Sequence, residues 1–332
     1  MLNSTSKLSK FFDFLLVAIL TNLNIFLDNT YLNYSYVSIC AFFVSMCLSI
    51  VLIIIAYRKN IIDICINAFV VLISYFIYKS FILKFDFINT FFAILNTLVL
   101  PISIGLCFKY TKSYFKTICF SAFAVVAEFL VSILRIVLID KVDIKETIIK
   151  PLISGYYADL KLIAPEIQIG LNELITSITL SLPAVVIIVS IFVALFYITI
   201  SKKLIELIYK NKIAGINSFS YLQMPKGSSW IFIIFMIIVM FSSKQSIFVD
   251  ATINVLTVMS AGFFINGLSF VDFHFRKTGL WAIVRVILYF VALVILSLFL
   301  FINPVILLVI LGLTDSNSDY RKIRYVDQNE NM

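Results

Sequence analysis

Apolar positions along this chain come in long continuous runs, neither alternating as in a half-buried strand nor recurring as a single helical stripe. A helix that crosses a bilayer needs about 20 such residues, within a range of about 17–25. Runs at 11–27, 36–56, 61–78, 87–107, 117–139, 175–200 and 247–270 meet that length and are predicted spans. A shorter run at 230–243 needs the flanking Ser228 and Ser229 to cross, and with the next run it is predicted to form a helical hairpin broken at Lys244. The final region, 280–313, is too long for one helix and barely long enough for two. Asn303 and Pro304 interrupt it, and because proline lacks a backbone donor a kink or turn is expected nearby.

Of 332 residues, 62% are hydrophobic and 13% charged, whereas an ordinary soluble domain has about 45–50% and about 25%. A soluble fold this apolar would expose large apolar patches to water, so lipid is the solvent expected around much of the surface. Lys and Arg number 26 against 18 Asp and Glu, a net charge of +8. These basic residues sit in short breaks between apolar runs, the pattern of cytoplasmic loops rather than of a nucleic-acid-binding patch, and no nucleic-acid partner is expected. Threading ten spans puts 17 of them on one side and seven on the other, with Arg135 and Arg285 inside spans. The richer side holds both termini and is the predicted cytoplasmic side. Two crossings within 280–313 keep Arg321, Lys322 and Arg324 there.

The predicted fold class is therefore all-α: a polytopic transmembrane helical bundle of about ten spans, with eight or nine as alternatives, and both termini cytoplasmic. Such a chain is expected as a multi-pass protein of the bacterial inner membrane, with the lipid bilayer as its surrounding partner. Lys7 and Lys10 before the first run resemble the start of a secretory signal, but Asp-Asn-Thr-Tyr-Leu-Asn follows in place of a small-x-small cleavage site, so a retained first helix is expected. Cys40, Cys47, Cys65, Cys107 and Cys119 lie in or beside apolar runs without a Cys-x-x-Cys pair or neighbouring His, and read as small hydrophobes.

Residues 1–200 form a predicted six-span bundle, 201–229 a cytoplasmic loop, 230–314 a four-span C-terminal region and 315–332 a cytoplasmic tail. Within the first of these, the outer loop 140–174 carries six acids and four lysines among isoleucines and leucines. That mixture predicts one or two amphipathic interfacial helices, broken near Pro151, Gly155 and Pro165, either as a connector on the lipid surface or as a lid. The inner loop begins as an amphipathic continuation of a helix and ends in a Pro-Lys-Gly-Ser-Ser turn.

Ionisable groups within a membrane are costly and mark candidate sites. Glu128 and Arg135 share one predicted helix, seven residues and about 10 Å of rise apart on nearly one face. An acid in apolar surroundings suits proton exchange or a hydrogen bond to a ligand; a structural bond to a neighbouring helix is the other reading. Arg135 lies near the outer end, within reach of the interface. In the hairpin helix, Asp250, Asn254, Thr257 and Ala261 recur along one face, while Gly262, Asn266 and Ser269 line an adjacent one. Close helix packing or a polar pathway would each use such residues. Arg285, a turn and a half inside the next helix, can snorkel to the cytoplasmic surface. Asn22, Asn24, Asn67, Asn89 and Asn96 add amides to the first bundle.

Catalytic signatures are few. His274 is the one histidine, which excludes His-Glu-x-x-His zinc chemistry, and no Gly-x-Ser-x-Gly elbow or phosphate-binding glycine loop occurs. A non-enzymatic protein without a cofactor is expected.

Several stretches carry a family resemblance. The loop Phe219-Ser-Tyr-Leu222-Gln-Met-Pro225, the helix end Asn266-Gly-Leu-Ser269, and the closing Gly312-Leu-Thr-Asp315 with Asp319-Tyr-Arg321-Lys322 together resemble the YybS-like family of bacterial membrane proteins. Pro183 and Asn254 also fit its pattern. The likeness covers about 175–324, and the first half matches only as a series of hydrophobic spans. Asn266 stands where the family often has Gln, and Tyr221 or a neighbour where it often has Trp. The resemblance implies a distant likeness to the substrate-binding membrane subunits of energy-coupling-factor vitamin transporters and to the rod-shape protein MreD. The Ala-x-x-x-Ala pattern by which such subunits dock their energising partner is missing from the first helix, which departs from a working vitamin transporter.

Two functions fit these features. One is a transport-related membrane protein that binds a small solute near Glu128 and the asparagines. The other is a non-transporting scaffold or regulator whose polar hairpin and inner loop contact a membrane or cytoplasmic protein partner.

Overall fold

The computed structural model describes residues 2–30, 35–81, 87–111, 113–138, 141–143, 145–151, 153–155, 157, 170–209, 213, 219–242, 246–276, 284, 287, 291, 303–318 and 320–321. Among the described residues every regular element is helical. In chain order these are α1 (Leu2–Thr30), α2 (Ser35–Arg58), α3 (Ile61–Phe81), α4 (Phe87–Tyr110), α5 (Tyr114–Leu138), α6 (Leu171–Tyr209), α7 (Ser228–Phe241), α8 (Ile247–Arg276) and α9 (Pro304–Ser318). A single turn at Lys145–Ile149 precedes α6, and another at Phe219–Tyr221 precedes α7. Among the described residues seven helices, α1 to α6 and α8, are long and apolar enough to cross a membrane. Only 17–44% of each apolar window is buried inside the protein, so most of each span presents carbon to its surroundings, as lipid requires.

α7 and α9 are shorter. Their 14 and 15 residues extend about 21–23 Å at 1.5 Å per residue, less than the hydrocarbon thickness of about 30 Å. Asn303 and Pro304 open α9. The Asn303 side-chain oxygen accepts the Val305 amide at 2.9 Å, and Pro304 occupies the first helical position, where no donor is needed. α6 continues without a break through Ser201 to Tyr209, so the start of the inner loop is helix.

The chain divides into two compact units, residues 1–141 with 190–216, and 142–189 with 217–332. In the first, Val17 and Ile25 of α1 meet Leu48, Leu52 and Ile55 of α2 and Val70, Val71 and Tyr75 of α3 in one apolar core. Polar bonds stitch its helices in pairs: Asn22 to Ser74 at 3.3 Å, Tyr75 to Thr97 at 3.1 Å, and Asn96 to Ser132 at 3.2 Å. One end of this unit gathers charge. Lys59 pairs with Asp13 at 2.7 Å and Lys10 with Asp63 at 2.8 Å, Lys109 donates to the Lys59 carbonyl, and Arg58 stacks over Tyr209.

In the second unit Ile149 and Ile153 bury against Ile175, with Leu171 and Leu174 beside them. α8 packs on α7 and α9. Phe263 of α8 is completely buried and meets Phe232 of α7 edge to face at 5.3 Å. α8 and α9 approach closely because each lacks a side chain at the crossing. A Cβ on Gly267 would strike the Leu308 carbonyl, and one on Gly312 the Phe263 carbonyl.

Candidate functional site

Two polar arrangements stand out in the second unit, at opposite ends of α8. The first centres on Arg321, just beyond α9. Its Nη2 lies 2.6 Å from Oδ2 of Asp315, and both side chains are fully withdrawn from solvent. Nε reaches the same carboxylate at 3.1 and 3.2 Å, a forked pairing that a planar guanidinium makes and an ammonium does not. Nη1 donates to the Ser220 carbonyl and to Ser269 Oγ, both at 2.7 Å. The two protons of Nη2 are shared among the Asp315 carboxylate, the Leu222 carbonyl at 2.8 Å and Asn266 Oδ1 at 3.0 Å.

Helical spacing explains who contributes. Asn266, Ser269, Phe270 and Phe273 fall on one face of α8, so one surface offers two acceptors and two aromatic rings, each 6.0 Å from the guanidinium carbon. Asn266 also donates to the Gly312 carbonyl at 2.6 Å, using the close approach of α9. The single proton of the Ser269 hydroxyl serves the Phe219 carbonyl at 2.7 Å or the Leu222 carbonyl at 2.8 Å. Gln223 donates to the Asp315 backbone carbonyl at 3.1 Å. The desolvation of each buried ion costs several kcal/mol, and it is offset only when every remaining donor is matched, as here. With all guanidinium donors spent, this is a clasp. It holds the 219–223 loop, the C-terminal part of α8 and the end of α9 at one level.

The second arrangement lies about 24 Å away along α8, taking 1.5 Å per residue from Asn266 to Asp250. A cleft of about 150 Å³ opens there between α6 and α8. α6 lines it with Ser177, Leu180 and Ser181, and α8 with Asp250, Ile253, Asn254 and Thr257. Asn254 donates across it to the Leu180 carbonyl at 2.9 Å. Three residues on, Pro183 has no N–H to give the Thr179 carbonyl within α6.

The two adjacent faces read from the α8 sequence thus serve different ends. Asp250, Asn254 and Thr257 come together at the cleft, whereas Asn266 and Ser269 are consumed in the clasp. Glu128 and Arg135 belong to the first unit, both half-buried on α5. The Glu128 backbone carbonyl accepts from Ser132, and its side chain lies within electrostatic range of Tyr197, which hydrogen-bonds Ser49. Arg285 lies outside the described residues. Asp315, Gln223 and Arg321 were not singled out as site residues from sequence. Arg321 stood among the cytoplasmic tail charges and Asp315 at the tail's start, yet both are buried in the packed unit.

A family model described as "Predicted membrane protein (DUF2232)" matches residues 30–316, and the chain belongs to that family. No curated protein and no solved structure matches it.

Proposed function

We propose that this member of the predicted membrane protein family is a multi-pass protein of the bacterial cell membrane that binds a small polar solute in the cleft between α6 and α8. The observation that carries the reading is the cleft itself: one carboxylate, one amide and three hydroxyls meet where apolar side chains would be the default for two helices in lipid. No catalytic chemistry is assigned to it.

The same reading keeps ten spans and cytoplasmic termini. The charged end of the first unit groups Lys10, Arg58, Lys59 and Lys109, all residues assigned to the inner side by charge counting. The clasp likewise puts the loop before α7 and the end of α9 at one level, which agrees with an even number of crossings between them.

A scaffold role is the second reading. It is favoured by the first unit, where Asn22 and Asn96 donate to neighbouring helices and Asn67 donates to its own. Purification in mild detergent followed by mass spectrometry of co-purifying species separates the two. A metabolite lost on Asp250→Asn supports solute binding. A stoichiometric protein subunit without a metabolite supports the scaffold and overturns the first reading.

A further inference from the structure

The cleft between α6 and α8 presents mainly hydrogen-bond acceptors. Thr257 gives its hydroxyl proton to the Ile253 carbonyl at 2.8 Å, and Ser181 gives its own to the Ile178 carbonyl at 3.0 Å. Each oxygen then has only lone pairs left to offer. Asn254 spends an amide N–H on the Leu180 carbonyl and keeps Oδ1 as an acceptor. Asp250 adds a carboxylate from the first turn of α8, where the helix dipole favours a negative side chain. An anion would meet repulsion and few donors in this setting. A donor of hydrogen bonds that carries positive charge would satisfy it.

The geometry points to a small organic ammonium ion as the solute, its N–H groups directed at Asp250 and its carbon body lying along Leu180 and Ile253. This rests on the cleft being the binding site proposed above. Size agrees: the cavity measures about 150 Å³, and a water needs only about 10–15 Å³ of such space, so several heavy atoms fit. A bare metal cation is a poorer match. The α8 acceptors from Asp250 to Thr257 spread over about 10 Å of helix axis, whereas a hard cation draws its oxygens to within about 2.3–2.6 Å. An ammonium group attached to a carbon chain can use Asp250 at one end and the apolar wall along the rest.

The test uses the full chain in detergent micelles, titrated calorimetrically with butylammonium chloride, butan-1-ol, sodium butyrate and sodium chloride in separate arms. Butylammonium is expected to bind, Asp250→Asn to weaken it at least about tenfold, and Asp250→Glu to stay within a few-fold of the parent. Thr257→Val and Ser181→Ala should each weaken it by a smaller factor. The Glu variant keeps the result readable if the Asn variant folds poorly. Equal butylammonium binding by Asp250→Asn, a response to sodium alone, or preference for butanol or butyrate would overturn the ammonium assignment while leaving a solute site in place. If no arm binds and no metabolite co-purifies, the cleft reading itself fails.

Discussion

Arg321 and Asp315 are bonded at 2.6 Å with both side chains fully sealed from solvent, six residues apart at the end of α9. Removing one member leaves the other charged and unmatched, which typically costs about 3–5 kcal/mol. Arg321→Ala and Asp315→Ala are therefore each expected to lower stability by that order in detergent unfolding. Arg321→Lys should recover little, because an ammonium cannot reach Asp315, Ser220, Leu222 and Asn266 together. The double variant Arg321→Met with Asp315→Leu should cost less than the two single losses summed, since no lone charge remains. Strict additivity would show that the pair is not coupled.

The crossing of α8 and α9 gives a sharper contrast. Gly267→Ala and Gly312→Ala each drive a methyl into a backbone carbonyl of the facing helix, which no side-chain rotation relieves. Overpacking commonly costs about 1–3 kcal/mol, and the rigid obstacle puts these two at or above the upper end. Gly262→Ala meets only the flexible end of Met224, with Cε at 3.1 Å and Sδ at 3.3 Å, and should be nearly neutral. Thermal unfolding of the three variants under one condition checks the order. A Gly262 variant as damaging as the others would refute the account.

Much of this architecture was legible in the order of residues, because the bilayer imposes one rule that sequence displays directly: apolar length. The runs at 61–78 and 87–107 nearly coincide with α3 and α4. The ending of the chain was not legible in the same way. Arg321 reads as one of several tail cations until its partners are known, and those come from three places, about 50 and 100 residues upstream and at Asp315. Length and charge counting see neither depth nor partnership. Two sequence signals touched the clasp: helical spacing, which marked Asn266 and Ser269 as one face of α8, and the family resemblance. The stretches of that resemblance around Phe219, Asn266, Gly312 and Arg321 supply most of the bonded groups. At Asp250 and Asn254 helical spacing sufficed, because residues on one face of a helix need only a facing helix to form a cleft.

The clasp also predicts a shared side for the two segments it joins. Tyr221 and Tyr320 are both exposed and flank bonded neighbours, Ser220 and Arg321. In a background with the five native cysteines replaced, Tyr221→Cys and Tyr320→Cys should react with a membrane-impermeant maleimide from the same face, the cytoplasmic one. Lys150→Cys, in the segment before α6, should react from the other. Labelling of Tyr221→Cys and Tyr320→Cys from opposite faces would contradict the packing of the loop against the chain end.

Stability and binding separate most cleanly at Asn254. Its bond to the Leu180 carbonyl joins α6 and α8, and such interhelical bonds in membranes contribute only about 0.6–2 kcal/mol. Asn254→Leu should therefore remain folded, with a loss nearer 1 kcal/mol and well short of the Gly267 and Gly312 variants. The leucine replaces an acceptor with carbon and fills part of a cavity of about 150 Å³. A solute held there would be displaced although the protein is intact. The expected pair of readings is a small change in unfolding temperature with a large loss of co-purifying or titrated solute. If stability and solute retention instead fell together, in proportion, Asn254 would be acting only as packing between the two helices.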